Sequence, residues 1–211
     1  MLRYVYADQL NQCPRLKDEM FTHRADQFRT RLGWDVSVDA RGHERDEYDA
    51  LNPLYVIWET AEGGHGGSTR FLPTTGPVMA NDHFAHLVST PIRSPLIWEC
   101  TRFCMAPRQG PNVAAALMLG GGELMNGFSI RHFVGVFDAR MVRIYCRVGS
   151  SPEVLGSTGE GRNRISVGLW EFDLEAQNRV AARAGIAPAL SRAWFDRAFG
   201  PEPVMEFAAS A

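Results

Sequence analysis

Residues 96–128 read LIWECTRFCMAPRQGPNVAAALMLGGGELMNGF. The stretch falls into three parts. Residues 96–105 are dense in aromatic and apolar side chains and predict a strand. Residues 106–111, APRQGP, hold two prolines and a glycine, which end a strand and make a tight turn. Residues 112–128 predict a helix capped by Asn112 and weakened by Gly120, Gly121 and Gly122. Strand, turn and helix in this order form one unit of an α/β sandwich. The helix start faces the turn, so Arg108 and Gly110 stand where an anion could bind.

The flanking sequence extends the pattern. Residues 2–6 alternate and predict a strand. Pro14 opens a predicted helix to about Arg31, with Leu16, Met20, Phe21, Phe28 and Leu32 on its apolar side. Residues 33–52 are polar and irregular and read as a long loop, a common home for function. Residues 54–60 and 68–72 flank AEGGHGG and predict a hairpin. A short helix is expected over 79–88, a strand over 132–137, a helix over 139–147 and a Gly/Ser-rich loop over 149–163. A strand over 165–172 and helices over 174–184 and 188–199 follow. The order predicts one domain over 1–211, a three-layer α/β/α sandwich with a mixed central sheet.

The 211 residues are 45% hydrophobic, enough for a sizeable core without disulfides or metal. A net charge of −2 gives no global reason to expect nucleic acid or an anionic membrane as partner. Lys17 is the only lysine, so guanidinium groups do the gripping of carboxylates and phosphates. The four cysteines, Cys13, Cys100, Cys104 and Cys146, form no C-x-x-C pair and are expected as free thiols. MLRYVYADQL lacks a leader pattern, and no apolar run approaches the ~20 residues of a membrane span. The cytoplasm is therefore expected. His83 and His86 have no third ligand nearby, so no metal is expected.

Polar and aromatic residues crowd the first half of the chain. Glu99 lies inside a predicted strand, where a carboxylate is costly unless paired. Alternation puts Glu99, Thr101 and Phe103 on one face and Trp98, Cys100 and Arg102 on the other. Glu99 is then either a structural ion pair or an acid that binds a ligand or moves a proton. Asp46 and Asp49 are three apart and face one way if the loop turns helically. Arg24 precedes Phe28 by four residues on one helical face, and Arg70 stands in the returning hairpin strand. Phe28, Trp34 and Phe84 offer aromatic faces to a flat ring or a cation. Three acids, three arginines and three aromatics suit a pocket for a zwitterionic, aromatic, cationic molecule.

Their order, in the segments RADQF, GW, ERDEYD, GSTRFLPTTGPVM and WECTRF, resembles the acyl-homoserine-lactone synthases, the autoinducer synthases of bacterial quorum sensing. The likeness runs from near residue 1 to about Gly149 and is strongest from Arg24 to Phe103. It implies a GNAT-like N-acyltransferase fold. It also implies a reaction in which the amine of S-adenosylmethionine, a substrate rather than a cofactor, attacks an acyl thioester on acyl-carrier protein or coenzyme A. The methionine carboxylate then closes the lactone and expels methylthioadenosine.

The resemblance also implies roles. Glu99, Asp46 and Arg70 are the catalytic candidates, with Asp46 holding the substrate ammonium. Arg24, Phe28, Trp34, Asp46, Asp49, Phe84 and Arg102 are expected at S-adenosylmethionine. Arg24 and Arg70 either organise the acidic loop or bind the methionine carboxylate, and Arg102 partners an aspartate. Phe103, Met125 and Phe137 are expected at the acyl chain. Phe137 stands where synthases that prefer 3-oxo chains often carry threonine, so an unsubstituted chain is expected. The small and flexible residues 114–116, Met118, 120–122 and Met125 leave room for a long tail. Arg140, Arg143 and Arg147 share a predicted helix suited to an acidic carrier protein. Two other readings stay open: an N-acyltransferase with a different amine acceptor, and a non-catalytic ligand-binding sensor.

Overall fold

Leu2–Tyr6 (β1), Leu54–Glu59 (β2) and His65–Pro73 (β3) form an antiparallel meander in the computed structural model, which describes residues 1–200. Ile97–Met105 (β4) continues it antiparallel to β3. His132–Asp138 (β5) then lies parallel to β4, and Ile165–Glu171 (β7) and Glu153–Thr158 (β6) complete a seven-stranded mixed sheet in the order β1-β2-β3-β4-β5-β7-β6. Helices Pro14–Ala25 (α1) and Met79–His83 (α2) pack on one face. Pro111–Gly127 (α3), Leu174–Ala184 (α5) and Pro188–Phe199 (α6) pack on the other, and Ala139–Val148 (α4) follows β5. The three-layer arrangement expected from the sequence is the one observed. The expected boundary at residue 211 lies outside the described residues.

β2 shows why the strands hold this place. Leu54, Tyr55, Val56 and Ile57 are all buried. Leu54 and Val56 join the core under α3, and Tyr55 and Ile57 join the core under α1. A strand covered on both faces carries a continuous apolar run rather than an alternating one. β3 shows the cost of close packing. The hairpin turn is shorter than expected because His65, Gly66 and Gly67 belong to the strand. A Cβ on Gly67 would stand 3.0 Å from the Cys104 carbonyl oxygen and 3.1 Å from both Leu117 and Val113 side chains. Only glycine lets α3 sit this close.

Four expectations need correction. Residues 149–163 are not wholly loop, since Glu153–Thr158 forms β6. As an edge strand it is mostly exposed and gains backbone partners from β7 rather than burial, so it lacks an apolar signature. The α3 cap is Gly110, not Asn112, with Pro111 opening the first turn. The first helix changes character at its end: α1 stops at Ala25 and Asp26–Arg31 is π-helical. Finally, β4 does not alternate evenly. Ser68 pairs with Cys104 but Arg70 pairs with Thr101, so two steps of β3 oppose three of β4. This bulge puts Arg102 at φ +52. It brings Arg102 to the face of Glu99 and Thr101, and sends Phe103 to the α3 face with Trp98 and Cys100.

Candidate active site

β4 and β5 pair over only three positions, Ile97↔His132, Trp98↔Phe133 and Glu99↔Val134, and then part. A cavity of about 520 Å³ passes through the gap. On the α1 side it is walled by Phe28, Trp34, Met79, Phe84 and Arg102. On the α3 side it is walled by Met118, Gly121, Gly122, Met125, Trp170 and Val180. Cys100, Phe103, Gly135 and Phe137 stand at the gap itself. The cavity is therefore aromatic and cationic at one end and largely apolar at the other, where Phe71, Phe133 and Trp170 join the wall and Glu171, Asp173 and Gln177 add polar groups.

The aromatic end is built from the π-helical segment. Phe28 and Trp34 stack with centroids 5.2 Å apart and planes 14° apart. Arg102 sits over the Phe28 ring at 5.5 Å. Phe84 closes the opposite wall, half-buried against Ala80 and Val134. At the gap, Phe137 meets Tyr145 and Trp170 edge-on, at 5.4 and 5.8 Å.

Behind the aromatic wall lies a buried charge network. The Arg24 Nε donates to Glu44 at 2.6 Å, and its two terminal nitrogens grip Asp49 at 2.9 Å each. Arg70 binds Asp49 at 2.9 Å and grips Asp46 through both terminal nitrogens. Arg102 joins Glu44 at 3.0 Å to Asp46 at 2.8 Å. Three guanidiniums thus meet three carboxylates, which leaves no net charge. Burial alone would raise the Asp49 carboxyl. The guanidiniums of Arg24 and Arg70 outweigh it and hold Asp49 far below the usual carboxylate range. The loop segment adopts the helical turn that the Asp46 and Asp49 spacing suggests: Asp46 caps Glu47–Ala50, and Asp49 returns a bond to the Asp46 N–H at 2.9 Å.

Glu99 is 1% exposed. It accepts the N–H groups of Met79 at 3.0 Å and Ala80 at 2.6 Å, at the start of α2. Burial raises its carboxyl to about 7, against the opposing pull of those two N–H groups. Arg24 and Arg70 are 1% and 0% exposed and spent on carboxylates. Of the expected S-adenosylmethionine set, Phe28, Trp34, Phe84 and Arg102 line the cavity, while Arg24, Asp46 and Asp49 stand behind it, as do Glu99 and Arg70. Phe103, Met125 and Phe137 all line it. Arg143 and Arg147 are exposed on α4, whereas Arg140 folds back onto Asp138 at 2.6 Å.

Glu44 and Gln27 were not singled out by the sequence. Glu44 is fully buried between Arg24 and Arg102, and its signal was the count of acids in GHERDEYD. Gln27 reaches β4 from the π-helical segment, and nothing in its neighbours marks it.

The family model for autoinducer synthases matches residues 8–180. The chain belongs to the autoinducer synthase family. An acyl-homoserine-lactone synthase of Rhizobium etli is 40% identical over 201 residues, covering 92% of this chain and 93% of the relative. The synthase also superposes on LasI, an acyl-homoserine-lactone synthase of known structure, with TM-score 0.75 and 25% identity over 86% of this chain and 94% of LasI. BjaI, solved as a coenzyme-A-dependent synthase with S-adenosylmethionine and isopentyl-CoA, gives TM-score 0.78 at 22% identity over 92% of this chain and 98% of BjaI. The split mixed sheet is the N-acyltransferase (GNAT-like) fold of these neighbours. The protein is thus an acyltransferase of quorum sensing, an acyl-homoserine-lactone synthase.

Proposed function

We propose that the synthase joins the α-amine of S-adenosylmethionine to an acyl group delivered as a thioester by acyl-carrier protein or coenzyme A. The amine attacks the thioester carbonyl and the thiol leaves. The methionine carboxylate then attacks its own γ-carbon, forming the lactone and releasing neutral methylthioadenosine. The observation that carries this reading is the cavity itself, aromatic and cationic on one face of the sheet and largely apolar on the other. The adenine and sulfonium suit the stacked Phe28 and Trp34 rings, with Phe84 opposite. Arg102 is the guanidinium of the network that reaches the cavity, and its Nη1, which among the described residues contacts only the Met79 sulfur, suits the methionine carboxylate. Arg24, Arg70, Asp46, Asp49 and Glu44 form the frame that holds it there. Asp46, with both oxygens engaged by arginines, serves this frame rather than the substrate ammonium.

Glu99 stands behind the wall that Met79 presents, so it takes the amine proton through a water molecule. Cys100 lines the cavity, but burial pushes its thiol up to about 12, which leaves it protonated and favours direct transfer over an acyl-cysteine intermediate. The acyl tail runs past Phe103 and Phe137 towards Met125. Exposed Arg143 and Arg147 on α4 offer charge to an acidic carrier.

Incubation of the purified protein with S-adenosylmethionine and a panel of carrier-protein and coenzyme-A thioesters tests the reading. Lactone and methylthioadenosine should appear together, as measured by mass spectrometry. Free thiol without methylthioadenosine would mean another amine acceptor, and no turnover across the panel would mean a binding protein. Carrier-dependent turnover should fall with added salt, and fall further in Arg143→Glu, whereas turnover with coenzyme A should not.

The gap supplies a second prediction. A Cβ on Gly135 would lie 3.0 Å from the Cys100 carbonyl oxygen and 3.2 Å from the Trp170 ring. Gly135→Ala should therefore narrow the passage where β4 and β5 part. Competition between long and short thioesters should shift towards the short one, and an unchanged ratio would place the tail elsewhere.

A further inference from the structure

Where β4 leaves β5, its freed edge loses a strand partner, yet two of its backbone groups are satisfied. The Ala106 N–H points to Gly66 O of β3 at 3.1 Å. Backbone groups alternate along a strand, so the Phe103 C=O and the Met105 N–H point to the opposite edge, the one β5 has abandoned. One side chain takes both. Gln27 Nε2 donates to Phe103 O at 2.8 Å, and Gln27 Oε1 accepts from Met105 N at 3.0 Å. A primary amide offers one donor face and one acceptor, as a neighbouring strand would to residues i and i+2. Gln27 stands in for the missing strand.

The same residue belongs to the π-helical segment. Leu32 N–H reaches back five residues to Gln27 O at 3.0 Å, and Trp34 N–H reaches Phe28 O at 2.9 Å. Such wide turns are rare and need outside support, and they occur often at functional sites. Phe28, the next residue, carries the ring that stacks on Trp34. Gln27 thus has its backbone in the segment that builds the aromatic wall and its side chain on the strand that borders the passage through the sheet. Gln27, Phe28, Trp34, Arg102 and Phe103 all face one cavity.

We propose that Gln27 is a positioning residue that locks the aromatic wall to the parted edge of β4, so that the acceptor pocket forms in register with the acyl passage. This rests on the synthase reading above. Gln27 touches no reacting atom. Its loss lets the wall drift from the strand, which weakens S-adenosylmethionine binding. A bound thioester is then left to water: hydroxide adds to the carbonyl, the thiol leaves, and a free fatty acid forms in place of the amide.

The test compares wild type, Gln27→Met and Gln27→Glu, all full length, with S-adenosylmethionine and whichever thioester the wild type turns over. Free thiol and methylthioadenosine are counted in the same reaction. In the wild type the two should be equal. Gln27→Met keeps the length and loses both hydrogen bonds. Its KM for S-adenosylmethionine should rise about tenfold, the size expected for two net hydrogen bonds. Thiol should then exceed methylthioadenosine, and the excess should close as S-adenosylmethionine is raised. Gln27→Glu keeps an acceptor for the Met105 N–H but sets a carboxylate against the Phe103 carbonyl, so it should not restore coupling. Equal thiol and methylthioadenosine in Gln27→Met, with an unchanged KM, would overturn the proposal. So would a loss of rate that follows only the loss of folded protein, with the ratio still one. A wild type that makes no lactone overturns the synthase reading and this proposal with it. Wild-type lactone with an unaltered Gln27→Met overturns this proposal alone.

Discussion

Glu99→Gln is expected to lower kcat/KM by roughly 100-fold or more, the usual contribution of a positioned general base. The pH profile carries the sharper information. Burial raises the Glu99 carboxyl to about 7, so a base at this position would be half-protonated at neutral pH and lost as pH falls. That titration alone should make wild-type kcat/KM drop tenfold per unit below about 7. A free α-amine titrates near ~8 and adds its own limb in both proteins. Glu99→Gln should lose the limb near 7 and keep the one near 8. A glutamine has one acceptor oxygen where the native carboxylate serves two N–H groups, those of Met79 and Ala80. Some loss of α2 order is therefore expected, and binding of S-adenosylmethionine should be measured beside turnover. A variant that binds normally, turns over at the wild-type rate and keeps both limbs would remove Glu99 from the chemistry.

Arg24→Met should be the most damaging change to stability. Arg24 is 1% exposed and holds Glu44 and Asp49, both buried. Removing one partner from such a network leaves uncompensated charge and costs roughly 3–5 kcal/mol. For a chain of this size that is roughly a 10 °C fall in Tm, seen by calorimetry or circular dichroism. Arg3→Met breaks a part-buried pair with Glu59 and should cost less, on the order of 1 kcal/mol. If the two variants melt together, the network has no special weight.

The same network sets the acid limit. Asp49 is depressed in the folded protein, so the stability it contributes is present above the unfolded carboxylate value of about 4. That contribution is lost as pH falls below about 4 towards the folded value, at a slope approaching about 1.4 kcal/mol per unit. Stability measured from pH 6 to pH 2 should show this decline begin near 4, and it should be shallower in Asp49→Asn.

Much of this molecule was legible because its informative residues are local. The apolar run of β2, the prolines after β4 and the alternation of β1 each fix an element from within a few residues. The charged residues were legible as a set, since acids and arginines in this number have no place in an ordinary core. What could not be read were features decided by a neighbour. β6 exists because β7 is beside it. The side on which Arg102 emerges depends on a bulge against β3, which alternation along β4 alone cannot anticipate. Glu44 looks like any loop acid until Arg24 and Arg102 close on it. Gln27 carries no sequence mark because its partners are main-chain groups some 76 and 78 residues away.

The parting of β4 and β5 has a kinetic corollary. A tail lying in that gap would have the main chain of β4 and β5 on either side, closed at one end where the two strands pair. On the proposed reading it must back out lengthwise, the way it came, like a thread drawn from a needle. Each added methylene lengthens the journey and adds apolar contact to be undone. Egress then slows as the signal grows longer, and chain length bears on the tempo at which the molecule is let go.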